Sequence, residues 1–164
     1  MDEFASRHYP VQEDMRFQRR SWAVERGGWI VLAVIAVAGL TGVFGTGPLS
    51  WRHVSAGPLT VHYDQFQRRT RLAPFRFDIT HAPGAEVTVK LDGGFARDFD
   101  VSSMEPQPVR SVAGPDGLTL TFAAQSGKAS SIVIWAHSHH YGLMTVTVAV
   151  DGGAPTSFWI FVYP

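Results

Sequence analysis

The sequence predicts an all-β protein, an antiparallel immunoglobulin-like sandwich preceded by a single transmembrane helix. Two observations predict this fold class. A long apolar stretch near the N-terminus carries no charge, and the residues from position 58 onward form short alternating segments separated by turn sequences. We therefore expect four parts: a cytoplasmic tail (1–28), a transmembrane helix (29–46), a linker (47–57) and a periplasmic β-sandwich domain (58–164).

The transmembrane helix is predicted from the 25 residues between Arg26 and Arg52, none of which is charged. Residues 29–46 are almost wholly apolar, and a bilayer core of about 30 Å needs roughly 20 such residues in a helix. Trp29 and Trp51 bracket the stretch, as expected for indole rings that prefer the headgroup region. Pro48 is expected to end the helix.

The distribution of arginines predicts the orientation of this helix. Four arginines flank its N-terminal end, and only Arg52 lies close to its far end. The four are Arg16, Arg19, Arg20 and Arg26. Because positive charge is retained on the cytoplasmic side, we expect a cytoplasmic N-terminus and an exported domain.

A cleaved signal peptide is the alternative to a permanent anchor. Residues 54–56, Val-Ser-Ala, are small enough for a signal peptidase site. However, some 28 residues precede the apolar stretch, whereas signal peptides have short charged starts and a cleavage site close to the apolar region. The sequence therefore favours an uncleaved signal-anchor.

Small residues recur along one side of the predicted helix. Ala38, Gly42 and Thr46 follow each other at intervals of four, and Gly45 lies beside them. Such a stripe allows close approach of another helix, which makes these four residues candidates for helix packing. Gly and Ala are also ordinary in membrane helices without a partner, so both interpretations stay open.

Seven segments of the domain are predicted to be strands because apolar residues dominate or alternate in them. They are 59–63, 75–79, 86–91, 118–122, 131–135, 144–150 and 158–163. Within 144–150, three valines are expected on one face and two threonines on the other. Residues 151–155 are predicted to form a hairpin loop, and 94–104 to form either a bulged strand or a single helical turn.

Four stretches of the chain resemble a family of small bacterial proteins with the same layout. They are FQRRSWAVER at 17–26, FGTGPLS at 44–50, VHYDQFQRR at 61–69 and FVYP at 161–164. The resemblance implies a single-pass inner-membrane protein with a periplasmic β-sandwich domain. It implies no activity, and it implies a membrane-protein partner, because members often accompany a YetF-like membrane protein.

A histidine-rich segment, AHSHHYG at 136–142, is the strongest candidate for chemistry. His137 and His139 share a face if the chain is extended, and His140 could supply a third imidazole to zinc or copper. No Asp, Glu or Cys adjoins the segment in sequence. A polar loop that binds nothing is the alternative, in which His140 points away from the other two imidazoles.

Two further groups of polar residues are weaker candidates. Asp98 and Asp100, with Glu105 nearby, could serve acid–base chemistry or hold calcium, but a solvated turn explains them as well. Ser138 lacks the surrounding glycines that expose a nucleophilic serine, so no hydrolase is predicted.

Composition excludes several classes of function. The chain has no cysteine, which excludes disulfides and thiolate chemistry. Its 14 basic and 14 acidic residues balance, so no nucleic-acid partner is expected. No cofactor is expected either. We expect a non-enzymatic, membrane-anchored periplasmic interaction module, an accessory or assembly subunit of an inner-membrane or envelope complex. The alternative is a periplasmic copper or zinc binding or delivery protein that uses the histidine segment.

Overall fold

The computed structural model describes residues 15–40, 47, 49–81, 84–123 and 129–164. The chain divides into two compact units, Met1–Ala38 and Gly39–Pro164. Helix α1 (Met15–Leu40) belongs mainly to the first unit, and the described strands all belong to the second.

Helix α1 is long and apolar enough to cross a bilayer. Within its candidate span, Gln18–Leu40, an 18-residue stretch has a mean hydropathy of 1.7, and none of that stretch is buried within the protein. At 1.5 Å per residue these 23 residues extend about 34 Å, which exceeds the roughly 30 Å of a bilayer core.

The helix begins earlier than the predicted span of 29–46. Residues 15–28, assigned to the tail, are helical and continuous with the apolar part, since no proline interrupts them and most are good helix formers. The Arg26 guanidinium lies over the Trp22 ring, 5.0 Å from its centroid, one turn apart on the same face. The predicted end, 41–46, lies outside the described residues.

The second unit contains eleven described strands and one short helix. In chain order they are β1 (Trp51–Ala56), β2 (Leu59–Asp64), β3 (Phe66–Arg68), β4 (Ala73–Thr80), β5 (Val87–Asp92), α2 (Gly93–Asp98), β6 (Phe99–Glu105), β7 (Arg110–Gly114), β8 (Gly117–Phe122), β9 (Ala129–Ser138), β10 (Gly142–Val150) and β11 (Thr156–Tyr163).

The strands form two sheets whose inner faces share one core. The five-stranded sheet has the order β1-β2-β4-β9-β6, and the six-stranded sheet has the order β3-β11-β10-β5-β8-β7. Neighbouring strands are antiparallel except for β3 and β11, which are parallel. This confirms the predicted sandwich.

Alternation along the strands places one set of side chains in the core. In β10, Val146, Val148 and Val150 are buried while Thr145 and Thr147 face outward, as predicted. The same pattern in β4 and β9 brings their apolar residues against those of the opposite sheet in a single buried cluster. Each large side chain sealed in this way stabilises the domain by about 1.5–3 kcal/mol.

Segment 94–104 contains both of the structures proposed for it. Asp92 caps α2, and its carboxylate accepts a hydrogen bond of 3.1 Å from the Phe95 N–H. Strand β6 follows directly and pairs with β9 through a register shift between Val101 and Ser103. A helical turn therefore carries the chain from one sheet to the other, and a bulge follows it.

The interval predicted as a linker, 47–57, contains strand β1, which pairs with β2 over its whole length. Ser50 attaches this strand to the domain, because its hydroxyl accepts from the Phe66 N–H at 3.0 Å and donates to the Phe66 carbonyl at 3.2 Å. Most of β1 and all of β7 are exposed, so neither has the apolar alternation that identifies a strand in sequence.

The loop predicted at 151–155 connects β10 and β11 as a hairpin. Asp151 and Gly152 adopt positive φ angles of 50° and 72°. The Asp151 carboxylate accepts a 2.7 Å hydrogen bond from the Thr88 N–H of the neighbouring β5 strand, which holds the loop against the sheet.

Candidate functional site

Two of the three candidate histidines lie against one carboxylate on the outer face of the five-stranded sheet. Asp100 of β6 is directly opposite His137 of β9. Asp100 Oδ2 lies 3.0 Å from His139 Nε2 and 3.7 Å from His137 Nε2. Because they are two residues apart, His137 and His139 lie together, as the sequence predicts. The fold also brings Asp100, which is distant in sequence, to both of them.

Backbone contacts fix the position of His139, which follows the end of β9. The His139 N–H donates to the Asp98 carbonyl at 3.0 Å. Between the histidines, Ser138 is buried, and its Oγ lies 2.8 Å from the His140 carbonyl oxygen and 3.2 Å from that of Asp98. Ser138, the serine that was considered as a nucleophile, therefore connects this turn to the end of α2.

His140 does not join the other two imidazoles on Asp100. It lies close to Asp98, whose pKa is lowered chiefly by a hydrogen bond from Arg97; burial opposes this effect, and the charges of Arg97 and His140 add to it. Within the described ranges of the chain, no group of three or more histidines and carboxylates has an arrangement that holds a metal ion.

Asp98 and Asp100 do not act as a pair. Asp98 ends α2 and binds Arg97 at 2.8 Å, whereas Asp100 projects from β6 toward the histidines. Sequence reasoning did not assign Asp100 to the histidines. No local sequence signal links them, because the approach of Asp100 depends on the antiparallel pairing of β6 with β9.

A groove of about 830 Å³ crosses the outer face of the same sheet. Its floor consists of outward-facing residues of the central strands, among them His62, Arg76 and Val133, which lie side by side in register. Trp51 and Trp135 contribute indole rings, and the segment before β4 contributes Arg71 and Leu72.

The six-stranded sheet also exposes apolar residues on its outer face. Phe66, Phe161 and Leu143 lie in one row across β3, β11 and β10, and Trp159 is two residues from Phe161 on the same face. The Phe66 ring meets Trp159 and Phe161 edge-on, with centroids 6.4 and 6.5 Å away. We call these four residues the aromatic patch.

Of the four helix-packing candidates, only Ala38 lies in the described part of the chain, in the last turn of α1. Gly42, Gly45 and Thr46 lie outside the described residues.

No protein-family model matches the chain, and no curated protein matches it significantly.

Proposed function

We propose that the chain is a non-enzymatic, membrane-anchored interaction protein. In this proposal α1 crosses a bacterial inner membrane with its N-terminus in the cytoplasm, and the β domain lies in the periplasm. There it serves as an accessory or assembly subunit of an inner-membrane or envelope complex. The observation that carries the proposal is the aromatic patch.

The aromatic patch has the composition of an interface centre. Leu143 is 69% exposed, Trp159 45% and Phe161 41%, although all three are large and apolar. Contiguous exposed apolar residues on a soluble surface are typical of protein-binding sites, and aromatic anchors contribute most of the binding energy at such sites. Burying one of these side chains against a partner stabilises the complex by about 1.5–3 kcal/mol.

Membrane anchoring and orientation are supported by α1 and its flanking charges. Arginines are concentrated before the apolar stretch, and the sequence repeats small residues at intervals of four from Ala38 onward, a pattern typical of helices that pack against a second helix. A membrane protein is therefore the expected partner, and a YetF-like protein is the one that the sequence resemblance implies.

Topology can be tested with reporters fused after Pro164. A reporter that works only in the periplasm should be active there, and one that works only in the cytoplasm should be inactive. The mass of the purified chain should correspond to a start at residue 1 or 2. Cytoplasmic reporter activity would reverse the proposed orientation, and a start at Gly57 would establish cleavage.

The interaction surface can be tested by purification in mild detergent followed by identification of the copurifying membrane protein. Trp159→Ala should reduce recovery of that protein about tenfold or more, as loss of an aromatic anchor does. Trp135→Ala is the matched control, because Trp135 is similarly exposed on the other sheet. Equal recovery with both variants would contradict the assignment of the aromatic patch.

Copper or zinc binding or delivery is a second candidate function, favoured by the proximity of Asp100 to His137 and His139. These three groups are not arranged to hold an ion as they stand, so metal binding requires their side chains to rearrange. One carboxylate and two imidazoles are a common zinc ligand set, with metal–ligand distances of about 2.0–2.2 Å. Titration of the purified chain with zinc or copper tests it. Stoichiometric submicromolar binding that is lost in the His137→Ala/His139→Ala variant, and kept in His140→Ala, would make metal handling the leading function.

A further inference from the structure

The groove on the five-stranded sheet combines an apolar wall with a charged floor. Trp51 is 63% exposed and Trp135 38% exposed, and Leu72 is also exposed beside them. These three side chains face the same volume of about 830 Å³, which is within the usual size range of small-molecule sites. A ligand with an apolar part would shield these three side chains from water.

The arginines that line the groove differ in their partners. Arg52 Nε donates to the Gln65 side-chain oxygen at 3.0 Å. The charge of Arg71 acts on Asp64, whose pKa is raised by burial against the attraction of that arginine. Both guanidiniums therefore already have a neighbouring acceptor or acid within the domain.

Arg76 is the exception. It projects from β4, near the middle of the sheet, and its guanidinium forms no hydrogen bond or ion pair with any residue in the part of the chain that the structure describes. Its neighbour in register, His62, contacts Asp78 instead, at 3.2 Å. Glu105 lies two strands away, about 10 Å across the sheet at the usual strand spacing.

The charges of the lining leave an excess of one positive charge. Three guanidiniums face the groove, against the carboxylates of Asp64 and Glu105. Its other ionisable groups are His53, His62 and Tyr63. An arginine without a partner binds a carboxylate in a bidentate manner, because the two planar groups match in geometry. One excess charge suits a monoanion better than a phosphate monoester, which carries nearly two negative charges.

We propose that this groove binds a carboxylate amphiphile of the fatty-acid type. The carboxylate pairs with Arg76, and the apolar body lies against Trp51, Leu72 and Trp135. This function goes beyond partner binding by the aromatic patch, since the two surfaces lie on opposite sheets and involve different residues.

Calorimetric titration of the full chain in phosphatidylcholine nanodiscs tests the proposal, with empty nanodiscs as the blank. Octanoate, below its micellar concentration, should bind with a stoichiometry of one. Hexyl phosphate and inorganic phosphate test for a preference for more highly charged anions, and octanol tests for apolar binding alone. Weaker binding of all three than of octanoate is the expected result.

Variants locate the site. Arg76→Gln should weaken octanoate binding by about ten- to a hundredfold, the usual effect of losing a hydrogen bond to a charged group. Arg76→Lys should retain part of the affinity. Arg110→Gln, an equally exposed change on β7 of the other sheet, is the matched control and should bind as the wild type does. Trp135→Ala should weaken binding while Trp159→Ala leaves it unchanged.

The proposal is wrong if octanoate shows no saturable binding, or if octanol or hexyl phosphate binds as tightly as octanoate. It is also wrong if Arg76→Gln binds octanoate as tightly as the Arg110→Gln control. Circular dichroism of each variant confirms that the domain remains folded. Loss of octanoate binding with retained partner recovery would separate this site from the aromatic patch.

Discussion

Phe95 provides a quantitative test of how the sandwich is closed at the end occupied by α2. Its side chain is fully buried, stacks on Phe99 with centroids 5.0 Å apart, and meets Phe75 edge-on at 5.6 Å. Truncation of a buried phenylalanine to alanine costs about 3–5 kcal/mol, and a domain of this size is stable by about 5–15 kcal/mol. Phe95→Ala should therefore remove at least about a fifth of the free energy of unfolding, and about 40% for a domain that is stable by about 10 kcal/mol.

Urea titration of the full chain in detergent, read by pulse proteolysis of the domain, measures this loss. With a urea dependence of about 1.5–2 kcal/mol per molar, a loss of 4 kcal/mol lowers the midpoint by about 2–3 M. Phe161→Ala is the matched control, because the same side chain is removed from an exposed position. If Phe95→Ala shifted the midpoint no more than the control, the rings of Phe75, Phe95 and Phe99 would not form a sealed part of the core.

Two further predictions concern a turn and an ion pair. Gly117 has φ +125°, and a Cβ there would lie 2.0 Å from the Leu91 carbonyl oxygen, so Gly117→Ala should cost at least about 2–3 kcal/mol in the same assay. Gly152→Ala, with positive φ and open space, should cost only about 1 kcal/mol, and equal effects would refute the clash. The lowered pKa of Asp98, caused mainly by the Arg97 hydrogen bond, implies stability that is present above pH 3.8 and lost as the pH falls through the lowered value. Asp98→Asn should therefore be less stable than the wild type at neutral pH, by less than about 1 kcal/mol, and a difference that did not shrink as the pH was lowered would contradict the ion-pair origin.

The strands that can be predicted from the sequence are those in which burial of one face produces an alternation of apolar and polar residues. Strands β4, β5, β8, β9, β10 and β11 each have an inner apolar face, so the period of two is visible without coordinates. Strand β7 has no buried residue and β3 has only three residues. Both depend on pairing with a neighbour, and pairing partners are not encoded in local composition.

The same limit applies to the surfaces. The spacing of His137 and His139 was sufficient to predict that their rings would point together, but the approach of Asp100 depends on the antiparallel pairing of β6 with β9. The groove and the aromatic patch each combine residues from strands that are distant in sequence. Nothing in the sequence distinguishes Arg76 from the other arginines. Only the structure shows that no described neighbour pairs with its guanidinium.

The parallel pairing of β3 with β11 has a consequence for the order in which the domain can assemble. Residues 66–68 pair with residues 161–163 of β11, so this pairing can form only after the end of the chain is present. Contacts between such distant segments form slowly, because a long loop must close before they contribute any stability. A nascent chain that lacks β11 therefore exposes both the β10 edge and the early segment. Fusions or truncations placed before Thr156 should be degraded by proteases, whereas fusions after Pro164 leave the last strand free to insert.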